Sequence, residues 1–151
     1  MLVEIERILP HIAGGQELAA KLTPDLRQRM MSAMPGLKER AKTLLELIEG
    51  ARYLWSGRPL QLDEKAAGVL SADARGLLRE LVIDLDALPA WTPEATEQAV
   101  RAFAERKETK LANVAQPLRA ALTGRTTSPP IFDVLAVLGK EESLARLRDQ
   151  T

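Results

Sequence analysis

The 151-residue sequence has no cysteine, a single histidine (His11), and only five aromatic residues. Without cysteine there is no disulfide framework, no thiolate nucleophile and no Cys-based zinc or iron–sulfur site, and one imidazole is too little for a His-rich metal centre. An excess of either charge is also missing, since 21 Lys and Arg face 21 Asp and Glu. That balance argues against a domain that holds nucleic acid by bulk electrostatics. No apolar run approaches the roughly 18–20 residues of a membrane span, and the first residues, Met1-Leu-Val-Glu-Ile-Glu-Arg7, carry acids where a signal peptide carries basic groups. The expected compartment is therefore the cytoplasm, with neither a membrane nor DNA as a partner.

What is abundant is leucine (25) and alanine (22), both strong helix formers, which predicts an all-α, multihelical chain. Thr23-Pro24-Asp25, Thr92-Pro93-Glu94 and Ser128-Pro129-Pro130 each set a hydroxyl before proline, the pattern of a capped helix start. Leu37, Ala41, Leu44, Leu45, Ile48, Ala51 and Trp55 share one face and predict a single helix over 37–55. A further helix follows Ser71 and stops at Pro89, and another spans 93–107. In 111–123 the pattern is helical, but Pro117 predicts a kink or restart before the stop at Gly124. Residues 125–130 read as a stiff loop, followed by short helices over 131–138 and 141–148 with Gly139 between them. Two small helical subdomains are expected, 1–89 and 90–151, divided near Pro89-Ala90-Trp91. Tyr53, Trp55, Trp91 and Phe103 lie on apolar faces and are expected in the core.

The balanced charge is a sum of unlike pieces. Residues 21–42 hold six basic and two acidic groups, and residues 101–125 again hold six and two, whereas residues 60–100 hold three basic and eight acidic. Brought together, the two basic pieces would form a positive face on a neutral protein; kept apart, they are ordinary solvated helix faces. The short motifs carry no catalysis. His11-Ile12-Ala13-Gly14-Gly15 has the wrong spacing for an ATP-binding HIGH signature and reads as a helix-ending turn, and Gly139-Lys140 lacks the upstream glycine and the following Ser/Thr of a P-loop. Asp63-Glu64, Asp84/Asp86 and Glu141-Glu142 are carboxylate pairs with no His or Cys to complete a site.

More specific are KERAKTLLELIEGARYLW (38–55), KLANVAQPLRAALTG (110–124) and TSPPIFDVLAVLGKEESLARL (127–147). In these stretches, and across about residues 24–149, the chain resembles the C-terminal anticodon-binding region of bacterial glutamyl-tRNA synthetases. The resemblance implies two helical subdomains that grip the anticodon stem and loop of tRNA(Glu), as part of a longer ligase. Its N-terminal catalytic domain would use ATP and Mg to activate glutamate; the HIGH and KMSKS motifs of that domain are not in this chain, which is expected to be non-catalytic by itself. Carried over motif by motif, the resemblance implies RNA-binding roles for Arg119 in QPLRAALTG, for Ser128, Pro129 and Ile131 in the Ser-Pro segment, and for the adjoining Arg125 and Thr127. It implies that Arg40 contacts the third anticodon base, a feature of enzymes that discriminate glutamate from glutamine anticodons. Pro130 departs from the family, where glycine is usual. Arginine suits such work because its planar fork bonds a base edge in two places. A helical protein-interaction or scaffold module without RNA binding is the alternative reading.

Overall fold

A computed structural model of the chain describes residues 22–151 together with Arg7, His11, Gln16 and Ala20, without the side chains of Arg40 and Leu44. The turn expected over residues 12–15 lies outside the described residues. Over residues 22–151 there are eight α-helices, one 3-10 turn and no strand, as the leucine and alanine content predicts. None of these helices is long and apolar enough to cross a membrane. The chain divides into two compact units, Met1–Ser56 and Gly57–Thr151.

In the first unit, α1 (Pro24–Arg40) starts where the sequence predicts, with the Thr23 hydroxyl accepting from the Leu26 N–H at 3.2 Å. It buries Leu26, Met30, Ala33 and Leu37, a stripe at helical spacing, against α2 (Leu44–Ala51) and the 3-10 turn Arg52–Leu54. The single helix expected over 37–55 is thus broken. Ala41 is extended at φ −92° and ψ 126°, and Thr43 caps α2 by accepting from the Glu46 N–H at 3.1 Å. Glu46 in turn accepts from the Lys42 N–H at 2.7 Å. These two local bonds satisfy amides that a continuous helix would have used, and the Thr-x-x-Glu spacing that builds them is present in the sequence. α1 also runs through Pro35, where the sequence predicts the approach to a new helix. Pro35 and Met31, whose carbonyl loses its donor there, are both solvent-facing, so water can take that bond.

The second unit contains α3 (Glu64–Val69), α4 (Ala72–Asp86), α5 (Pro93–Arg106), α6 (Leu111–Thr123), α7 (Ile131–Leu138) and α8 (Lys140–Asp149). Asp63, Ser71 and Thr92 cap α3, α4 and α5 by accepting from the amides of Ala66, Ala74 and Ala95. α6 is the centre of this unit and packs on every other helix in it. Its Val114, Leu118, Ala120, Ala121 and Leu122 are fully buried. This explains why the helix runs through Pro117 without a restart: a proline inside a helix costs about 3 kcal/mol, whereas each fully buried leucine contributes about 1.5–3 kcal/mol. Tertiary packing on all sides outweighs one missing backbone bond.

The division expected at 89/90 falls inside this second unit. α4 packs on α5, α6 and α8, so residues 72–86 share a core with the helices that come after them. Pro89 closes a helix without closing a subdomain. Of the four aromatics expected in the core, Tyr53 and Phe103 are buried, while Trp55 and Trp91 are half-buried. Trp91 keeps its ring edge satisfied by donating from Nε1 to the Leu135 carbonyl at 2.7 Å.

Candidate nucleic-acid interface

The residues singled out in the C-terminal half converge on the corner between α6 and α7. The corner begins at Gly124, where the chain takes φ 74° and the amide closes the helix onto the Ala120 carbonyl. A Cβ there would stand 2.4 Å from the Gln61 carbonyl oxygen, so glycine is required by close approach as well as by conformation. The same contact is fastened by the Asp63 N–H, which donates to the Gly124 carbonyl at 2.9 Å. Neither Gln61 nor Asp63 could be placed at this corner from sequence, because the contact joins distant stretches of chain.

Two hydroxyls organise the loop beyond Gly124. Thr123 Oγ1 donates to the Arg119 carbonyl at 2.9 Å, lies 3.2 Å from the Arg125 carbonyl, and accepts from the Arg125 N–H at 3.3 Å. Ser128 Oγ accepts from Arg119 Nε at 2.9 Å and donates to the Pro129 carbonyl at 2.7 Å. Ser128 is therefore not the helix cap that the hydroxyl-proline pattern predicts: α7 starts after Pro130, whose carbonyl accepts from the Val134 N–H, and has no side-chain cap. Two consecutive prolines move the cap position past the serine, freeing its hydroxyl for Arg119.

Burial sorts the expected site residues. Pro129 is buried and Ile131 is only 4% exposed, so both are the floor of the corner. Arg125, Thr127 and Pro130 are exposed, and Arg119 and Ser128 are half-buried. Beneath the corner lies Arg146, which the sequence does not single out. Only 2% exposed, it pairs with Glu142 at 2.8 Å and donates from Nη1 to the Leu122 carbonyl at 2.8 Å, satisfying one of the open carbonyls at the end of α6. In sequence, Glu142 and Arg146 look like an ordinary surface pair at (i, i+4), and nothing there signals the distant carbonyl.

The two basic pieces of the sequence fall in different units. Arg40 closes α1 in the first unit and its side chain lies outside the described atoms, while Arg119 and Arg125 belong to the second. On α5, Arg101 pairs with Glu97 at 2.7 Å, Arg106 with Asp84 at 2.6 Å, and Lys107 with Glu80. These three cations of 101–125 are thus paired with acids of the negative 60–100 piece, two of them on α4. These pairs are largely exposed and contribute little stability, about 0–1 kcal/mol each.

Over residues 5–151 the chain matches the model of a family described as the anticodon binding domain. It is 57% identical over 150 residues to glutamate–tRNA ligase 1 of Methylobacterium radiotolerans, covering 99% of this chain and 32% of that protein. To glutamate–tRNA ligase 2 of a Chelativorans species it is 61% identical over 142 residues, covering 94% of this chain and 30% of that one. The chain therefore spans about a third of the length of the curated relatives it matches. Among solved structures, a glutamate tRNA ligase from Elizabethkingia meningosepticum superposes on 97% of the chain with a TM-score of 0.71 at 24% identity, covering 28% of that chain, a likeness of fold. The glutamate-tRNA synthetase of Elizabethkingia anophelis gives a TM-score of 0.66 at 25% identity over the same shares.

Proposed function

The chain belongs to the anticodon binding domain family, and from that premise we propose that it is the RNA-reading part of a bacterial glutamate–tRNA ligase, gripping the anticodon stem and loop of tRNA(Glu) in the cytoplasm. The observation that carries this reading is the 57–61% identity to glutamate–tRNA ligases across nearly the whole chain. ATP and Mg belong to the glutamate-activating domain in the rest of such an enzyme. This chain supplies no step of that chemistry; it selects the RNA.

The α6–α7 corner supports the assignment. A buried floor of Pro129 and Ile131 carries Arg119, Arg125 and Thr127 at the surface, a small rigid platform with two guanidinium groups. Single-stranded loops are read by splaying bases out against such surfaces and bonding their edges. With few aromatics to stack on, edge bonding by arginine takes the larger share. Arg40, at the end of α1, is assigned to the third anticodon base and to discrimination between glutamate and glutamine anticodons.

Binding of tRNA(Glu) and of the same tRNA with a changed anticodon tests the reading. Arg119→Ala is expected to weaken the first about tenfold or more and the second much less, in keeping with the loss of charged hydrogen bonds. Equal losses on both RNAs would remove the base-reading role. A salt titration separates the scaffold alternative, because each phosphate contact steepens the log–log slope by about 0.7–0.9. A flat slope would favour a protein-interaction module.

A further inference from the structure

The resemblance implies that Ser128 lines the base surface itself, yet its bonds in the structure point elsewhere. A hydroxyl has one proton, and that of Ser128 is directed at the Pro129 carbonyl, 2.7 Å away. One of its lone pairs takes the Nε–H of Arg119 at 2.9 Å. To donate to a base edge, the group would have to give up the Pro129 bond. Its position is also fixed from below. Ser128 precedes Pro129 and Pro129 precedes Pro130, which restricts both residues to extended backbone, and buried Pro129 and Ile131 pin the segment to the core. Arg119, by contrast, is a long side chain whose guanidinium plane is set by its last torsions, and a fixed acceptor at Nε orients that plane. The Arg119 carbonyl is meanwhile tied to the Thr123 hydroxyl, so the arginine is held at both ends.

We propose that Ser128 is a positioning residue: it sets the plane of the Arg119 guanidinium for an RNA base and does not read the base itself. This rests on the tRNA reading above. The two prolines then have a purpose beyond stiffness, since they place a hydroxyl, and no backbone amide, opposite the arginine.

A double-mutant cycle on the whole chain tests the proposal, with tRNA(Glu) and its changed-anticodon counterpart as the probes. Ser128→Ala is expected to lower the preference for the cognate RNA about tenfold, the size of one hydrogen bond to a charged group. The double variant Ser128→Ala/Arg119→Ala should bind no more weakly than Arg119→Ala alone, within about a factor of two. Ser128→Thr, which keeps the hydroxyl, should restore the preference. Additive losses would show that Ser128 makes its own base contact and would overturn the proposal, as would an unchanged preference in Ser128→Ala. Thermal melts of the variants separate a loss of fold from a loss of aim, and Ser128→Thr keeps the test open should the alanine variant melt early. If the unsubstituted chain shows no preference between the two RNAs, the tRNA reading fails first; if it shows one and the cycle is additive, only the role of Ser128 fails.

Discussion

Two corners of the second unit, both turned by a glycine of positive φ, are built on different principles. At the α6–α7 corner, Gly124 has φ 74° and ψ 7°, a left-handed conformation that asparagine can also adopt, but a Cβ would lie 2.4 Å from the Gln61 carbonyl oxygen. At the α7–α8 corner, Gly139 has φ 80° and ψ 166°, a region that is essentially glycine-only, yet a Cβ would have nothing within 4 Å. The first corner is restricted by its neighbours and the second by its own backbone. Each also has a side-chain donor on a carbonyl of the helix it ends: Arg146 on Leu122, and Trp91 on Leu135. The contrast teaches that a glycine stop in a sequence marks where a helix ends without saying what else presses on the turn. The corner that carries the candidate RNA-reading residues is the one pressed from outside.

Substitutions at four positions can break or sharpen this contrast, measured as unfolding free energies by chemical denaturation. Gly124→Ala should be the most damaging, at about 3–4 kcal/mol, combining left-handed strain with overpacking against backbone. Gly124→Asn should not rescue it, because asparagine relieves the conformation and keeps the Cβ; recovery would mean that conformation alone governs this corner. Arg146→Met should come next, at about 2–3 kcal/mol, since methionine fills the space but leaves the Leu122 carbonyl without its guanidinium donor, while Glu142, 28% exposed, can turn to water. Gly139→Ala should cost about 2 kcal/mol from backbone strain alone. A larger cost at Gly139 than at Gly124 would reverse the ranking of the corners. Trp91→Phe should be mildest, at about 1 kcal/mol, because the Leu135 carbonyl still accepts from the Gly139 N–H at 3.0 Å.

Local chemistry was legible in the sequence and long-range chemistry was not. Thr23 and Thr92 cap the helices their prolines announce, Gly124 and Gly139 end helices where they should, and α7 has the expected bounds. The break before Thr43 is also written locally, in Thr43-Leu44-Leu45-Glu46, but the apolar stripe that continues across it masks the cap. Pro117 misleads because its cost is local and visible, whereas the packing of α6 against five helices is not. The same holds at the candidate site. Arg119 and the Ser-Pro segment could be picked out by resemblance, but the bond from Arg119 to Ser128 depends on a turn geometry that two prolines alone do not specify. The matching of Arg106 and Lys107 with Asp84 and Glu80 joins two helices whose register against each other no spacing rule gives.

The bond between Asp63 and Gly124 has a use beyond holding the corner. Asp63 is the cap residue of α3, so its amide has no partner within that helix, and the Gly124 carbonyl is its backbone acceptor. Hydrogen exchange at that single amide therefore reports the opening of the contact between the start of α3 and the α6–α7 corner. Its slowing in the presence of RNA would register the ligand's grip on the corner without any label or substitution there.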